Sequence, residues 1–180
     1  MMDIRNTITL FWLVLIALSV SSCENKNKAE TNDKVKVGSK IDLMEYAVEI
    51  IGKDTNNVYI KPGSEYKIVT YTNIYCAPCW RKALLWKENL KYFNEYPQVS
   101  FYFYVHSTPK DFEIRNADSK FDFPVFLDIK ERFRIVNQLG MDPDKLTFLL
   151  NSKNEILIIG LPFTKEIREK YISAISKKGQ

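Results

Sequence analysis

The hydrophobic positions of this chain fall into blocks of different period, and each period predicts an element. Residues 65–73, EYKIVTYTN, alternate and are rich in branched and aromatic side chains, which predicts a strand, and the KPG just before them is turn chemistry. Further on, Ala83, Trp86, Leu90 and Phe93 recur at spacings of three, four and three, with Arg81, Lys82, Lys87, Glu88 and Lys91 between them. That is the pattern of an amphipathic helix. VSFYFYV, 99–105, is apolar or aromatic at nearly every position, as a strand covered on both faces would be. PKDFEIRNADSK predicts a helix, FPVFLD (123–128) a short strand, and KERFRIVNQLG (130–140) a helix stopped by Gly140. LTFLL and EILIIG, separated by NSKN, predict a β-hairpin. The last block, TKEIREKYISAISKKG, predicts a helix capped by Thr164, with Glu166 and Glu169 early and Lys177 and Lys178 late. Strands alternating with helices imply an α/β fold: a mostly parallel sheet with helices on its faces, finished by an antiparallel hairpin.

The N-terminal block has a different character. Arg5 precedes an apolar run of 14 residues, TITLFWLVLIALSV, which ends in the small residues of VSSC. A spanning helix needs about 20 apolar residues, so the run predicts a secretory signal rather than a membrane span. VSSC resembles the lipobox of bacterial lipoproteins. The resemblance implies cleavage before Cys23 and acylation of its thiol, which makes Cys23 a lipid anchor. After it, ENKNKAETNDKVK is nearly all charged or polar. Such a segment cannot bury enough apolar surface to offset its ordering entropy, so it is expected to be a tether, reaching on the order of 40 Å when extended. The expected organisation is a lipoprotein signal peptide at 1–22, a flexible tether at 23–37 and one folded domain at 38–180.

Charge narrows the function classes. A formal net charge of +4, spread through mixed-sign segments, describes a solvated surface and argues against nucleic acid as a partner. There is no repeat and no glycine-rich phosphate loop. Three cysteines, one of them expected to be lipidated, leave only Cys76 and Cys79, so no disulfide framework holds the fold.

Those two cysteines stand in IYCAPCW, directly after the 65–73 strand and at the head of the first helix. Thiols at i and i+3 in a first helical turn share one face and can bridge with little strain. The unpaired N–H groups and dipole of the helix N-terminus favour a thiolate. Cys76, the outer of the pair, is expected to be the nucleophile and Cys79 the resolving thiol, through a mixed disulfide. Pro78 suits the first turn, where its missing N–H costs nothing. Tyr75 and Trp80 flank the pair as candidates for an apolar docking surface or for packing around the helix start. A metal site is disfavoured, because zinc wants three or four protein ligands and the domain adds only His106, a structural or solvated residue by its position. The cysteine spacing also differs from that of copper-carrying relatives. A peroxidase reading fails because Asn73 and Val69 stand where peroxiredoxins have Thr or Ser and Pro.

From about Gly38 to the end, the motifs CAPC, FPVFLD and LTFLLNSKNEILIIG resemble those of TlpA-like, thioredoxin-related lipoproteins of bacterial envelopes. The resemblance implies a thioredoxin-like fold carrying the extra strand and helix of the TlpA and peroxiredoxin branch, placed at 123–140. It also implies thiol-disulfide oxidoreductase activity, with no cofactor beyond the redox-active Cys76–Cys79 pair. Partners would be disulfide-containing envelope proteins and an upstream thiol electron donor, and membrane contact would be through the lipid alone. The domain would face the periplasm or cell exterior, and a reducing role is preferred. Two departures stand out. Thioredoxin relatives place a cis-proline before the hairpin, where aligning KLTFLL puts Lys145, so a trans peptide is expected and Lys145 becomes a candidate substrate contact. Thr70 stands six residues before Cys76, where thioredoxin keeps a buried acid, so proton transfer at Cys79 needs another group or water. The competing class is a non-catalytic binding lipoprotein using a groove around Tyr75, Trp80 and Lys145.

Overall fold

In the computed structural model, which describes residues 35–44, 49–51 and 63–177, six strands form one sheet in the order β1-β4-β3-β2-β5-β6. At its centre lies β2, Tyr66–Asn73, parallel to β3, Val99–His106, and antiparallel to β5, Thr147–Leu150. Beyond β3, the short β4, Val125–Leu127, continues the parallel order; beyond β5, β6, Ile156–Ile159, closes the hairpin. The expected mostly parallel sheet with a terminal hairpin is therefore present. Strand β1, Glu49–Ile51, was not expected from the pattern, and it pairs antiparallel with β4. The readings made for residues 1–34, signal, anchor and most of the tether, lie outside the described residues. Among the described residues no helix is long and apolar enough to cross a membrane.

The central strands are buried on both faces, and the two faces feed two cores. Phe101, Phe103 and Val105 of β3 point to one core with Ile68 and Leu149, while Tyr102 and Tyr104 point to the other with Val69, Tyr71, Phe126 and Phe148. Burial of each such side chain is worth about 1.5–3 kcal/mol. The first core is roofed by helices. Helix α1, Ala77–Leu84, is followed by α2, Trp86–Asn89, and a 3-10 turn, Leu90–Phe93. The single amphipathic helix expected here is thus three short segments, yet Ala83, Trp86, Leu90 and Phe93 are all buried. The apolar period fixed the buried face, not the continuity. Helix α3, Pro109–Ser119, capped by Thr108, adds Phe112, and the terminal α5, Lys165–Ser176, adds Tyr171 and Ile175. As expected, the Thr164 hydroxyl caps α5 by accepting from the N–H of Ile167.

Two boundaries are corrected. The helix expected over 130–140 is only α4, Arg132–Val136. The Asp128 carboxylate accepts from the N–H groups of Arg132 and Phe133 at 2.7 and 2.8 Å and so sets a late start, while Glu131 takes a left-handed φ of 52°. The helix then ends at Asn137, and the left-handed residue beyond it is Gln138, not Gly140. At the other boundary, ordered packing begins before Gly38. Val35 packs on the second core, and Gly38 and Ile41 donate to the carbonyls of Ile156 and Asn154.

Candidate functional site

The site is built at the end of β2 by a turn that Asn73 makes. Its side-chain oxygen accepts from the N–H of Tyr75 at 2.8 Å, and its carbonyl accepts from Cys76. The N–H of Ile74 also reaches the carbonyl of His106, which ties this turn to the end of β3. The chain therefore leaves the sheet with Cys76 at the N-cap of α1. Ala77 and Pro78 open the helix, so the missing N–H of Pro78 falls where no intrahelical partner exists.

Cys76 and Cys79 are joined by a disulfide, with Cα atoms 5.2 Å apart. Cys76 Sγ also accepts a hydrogen bond from the N–H of Cys79 at 3.3 Å. That N–H is in place to stabilise charge on the same sulfur once the bond is reduced, because a charge-assisted hydrogen bond is stronger than a neutral one. Both cysteines are partly exposed, and Tyr75, Ala77 and Pro78 around them are exposed. A partner chain can reach the sulfurs.

The flanking residues separate. Tyr75 is 57% exposed; its hydroxyl donates to Asp111 at 2.6 Å, and its ring meets His106 edge-on at 5.5 Å. Trp80 is only 3% exposed and packs against Phe112 and Phe121, so it is core and not a docking surface. Position i+4 from Cys76 turns Trp80 inward, whereas Tyr75 precedes the helix and faces out. His106 bonds through Nδ1 to the carbonyl of Asp128 at 2.9 Å, and its Nε2 lies 3.6 Å from Glu131. Among the described residues no group of three or more His, Cys, Asp and Glu could hold a metal.

Lys145 ends the 3-10 turn Pro143–Lys145 and pairs with Asp142. It lines a cavity of about 510 Å³ with Val35, Leu139, Leu146 and Phe148, on the second-core side of the sheet. Tyr75, Trp80 and Lys145 therefore do not line one groove. Beside Cys79 the same turn presents Pro143, with Thr147 next to it, and the turn is held to α1 by the Lys82–Asp144 ion pair. Among the described residues no peptide bond is cis.

Sequence reasoning missed Thr147. Its hydroxyl and that of Thr70 hydrogen-bond at 2.5 Å across the β2–β5 pair, both buried, in the place of an acid. It is the β2–β5 register, between strands far apart in the chain, that sets Thr147 opposite Thr70.

No family model matches the sequence, and no curated protein matches it. Solved structures do. The thioredoxin domain of a thiol-disulfide oxidoreductase from Bacteroides vulgatus matches with a TM-score of 0.55 at 14% identity, over 79% of this chain and 99% of that one. A Chlorobium tepidum protein assigned as the thiol:disulfide interchange protein DsbE gives 0.55 at 16% identity, over 78% and 98%. A thiol-disulfide oxidoreductase from Bacteroides fragilis gives 0.51 at 12%, over 66% and 87%. The fold is thioredoxin-like, with a bonded CxxC at the head of its first helix.

Proposed function

We propose that this chain is a thiol-disulfide oxidoreductase of the bacterial cell envelope, lipid-anchored through Cys23, that reduces disulfides in partner proteins. One observation carries the reading: an accessible Cys76–Cys79 disulfide at a helix N-cap, with the Cys79 N–H directed at Cys76 Sγ. In the reduced protein the Cys76 thiolate attacks one sulfur of the partner disulfide. The partner's other sulfur leaves as a thiolate and takes up a proton. Cys79 then attacks Cys76 Sγ, the mixed disulfide breaks, and the second partner thiol departs. Two electrons pass to the partner, and an upstream thiol donor restores the dithiol. The chemistry needs no further cofactor. Exposed Tyr75 and Pro78 border the sulfurs and would meet the partner first.

The test is an equilibrium titration of the pair in graded thiol buffers, followed by alkylation and mass shift. A midpoint near that of thioredoxin, about −270 mV, is expected for a reductant, and one near −120 mV would make it an oxidant. Cys76→Ser should abolish turnover of a disulfide substrate while the circular dichroism stays native. Cys79→Ser should accumulate the mixed disulfide. A pair that does not cycle, or a Cys76→Ser variant that still turns over, overturns the proposal.

A further inference from the structure

The sheet face beneath α1 changes character along β2. Tyr66 and Ile68 belong to the first core, but the next two residues on that face, Thr70 and Thr72, are buried threonines. Thr70 meets Thr147 across the sheet, and all three threonines, together with Cys79, Trp86, Pro143 and Leu161, line a cavity of about 10 Å³. Three lining residues carry a buried polar atom with no hydrogen-bond partner in the protein; Tyr71 belongs to the second core on the other face of the sheet, which leaves Thr72 Oγ1, in a residue 5% exposed, and Trp86 Nε1, in a residue 0% exposed. A buried hydroxyl or indole N–H without a partner is costly, and a cavity of this size with two such groups suits one water molecule. Of the ionisable side chains lining it among the described residues, Tyr71 belongs to the second core on the other face of the sheet and Lys82 is paired with Asp144, which leaves Cys79. No carboxylate lies there to act as a base.

We infer that this cavity is the proton-transfer site for Cys79, holding one water between Thr72 Oγ1 and Trp86 Nε1, with the Thr70–Thr147 pair as its polar wall. The inference rests on the oxidoreductase reading above. In the resolving step the Cys79 thiol gives its proton to this water as its sulfur bonds to Cys76 Sγ. The bond between Cys76 and the partner sulfur breaks, and that sulfur leaves with the electron pair as a thiolate. The proton moves out past Lys82 to solvent, from which the leaving thiolate takes one up. Thr72 acts as a positioning residue: it holds the water and does not touch the partner.

The experiment uses the reduced full chain and a chromogenic aromatic disulfide, which releases two coloured thiolates in sequence. The first release reports attack by Cys76 and the second reports resolution by Cys79. Thr72→Val, which keeps the branched shape and removes the hydroxyl, should leave the first rate unchanged. It should slow the second by about tenfold or more, shift its pH profile, and remove its solvent isotope effect. Thr72→Ser should restore the second rate. A second release that is unchanged in Thr72→Val overturns the relay, and so does a Thr72→Ser variant as slow as Thr72→Val, since packing would then be the cause. If Thr72→Val does not fold, the wild-type second release decides, and no solvent isotope effect there overturns the relay. Absence of the first release in the wild type instead overturns the oxidoreductase reading itself.

Discussion

Asp111 is at the surface, yet its carboxyl is held below the usual carboxylate range, first by the hydrogen bond from Tyr75 and then by that from Thr108. The contact joins the residue before Cys76 to the first turn of α3. A depressed folded pKa means that this link contributes stability above the ordinary Asp range and loses it as pH falls through the lowered value. Tyr75→Phe removes the larger cause, so the Asp111 midpoint should rise toward its ordinary value. Carboxyl NMR titration of the two proteins checks this, and an unmoved midpoint would show that Tyr75 does not hold the loop to α3. At this scale the dithiol was legible in the sequence, because its spacing and its place after a strand are local features. The roles of Tyr75 and Trp80 were not, because which aromatic faces out depends on the strand-to-helix turn made by Asn73. Lys145 was misplaced for a related reason: alignment along the chain gives a position but not the side of the sheet a side chain takes.

Caps decided where the elements end. Thr108 and Thr164 were readable as helix starts or fell beside predicted ones, since a threonine before a polar first turn has a local signature. Asp128 was not readable, because it caps α4 from the end of β4 across the left-handed Glu131. KERFRIVNQLG does turn helical, yet the carboxylate takes the first free N–H groups at Arg132 and Phe133 and leaves Lys130 outside. Strand β1 escaped for another reason, since three residues are too few to show a period. Asp128 is 2% exposed, and both its bonds go to backbone donors that otherwise lack partners. Asp128→Ala should therefore cost about 1–3 kcal/mol, read as a lower urea midpoint with an unchanged slope. A loss well under that range would mean that α4 caps itself by another route.

Across the whole molecule, the proposed function requires the fold to persist with the pair open as well as closed. The disulfide spans a sequence separation of only 3, so in the chain-entropy view it constrains the unfolded state by about 2 kcal/mol. The two cores hold far more. Trp86 alone meets Phe93, Phe101, Phe103 and Phe163, and Tyr104, Phe126 and Phe133 stack on the opposite face. None of these contacts passes through a sulfur. Reduction should therefore leave the far-ultraviolet circular dichroism and the urea slope unchanged and lower the unfolding free energy by no more than about 2 kcal/mol. The comparison is a pair of urea titrations on the full chain, one oxidised and one held reduced. Loss of secondary structure on reduction would make Cys76–Cys79 a staple of the fold, and a staple that unfolds its own protein when opened could not deliver electrons to a partner.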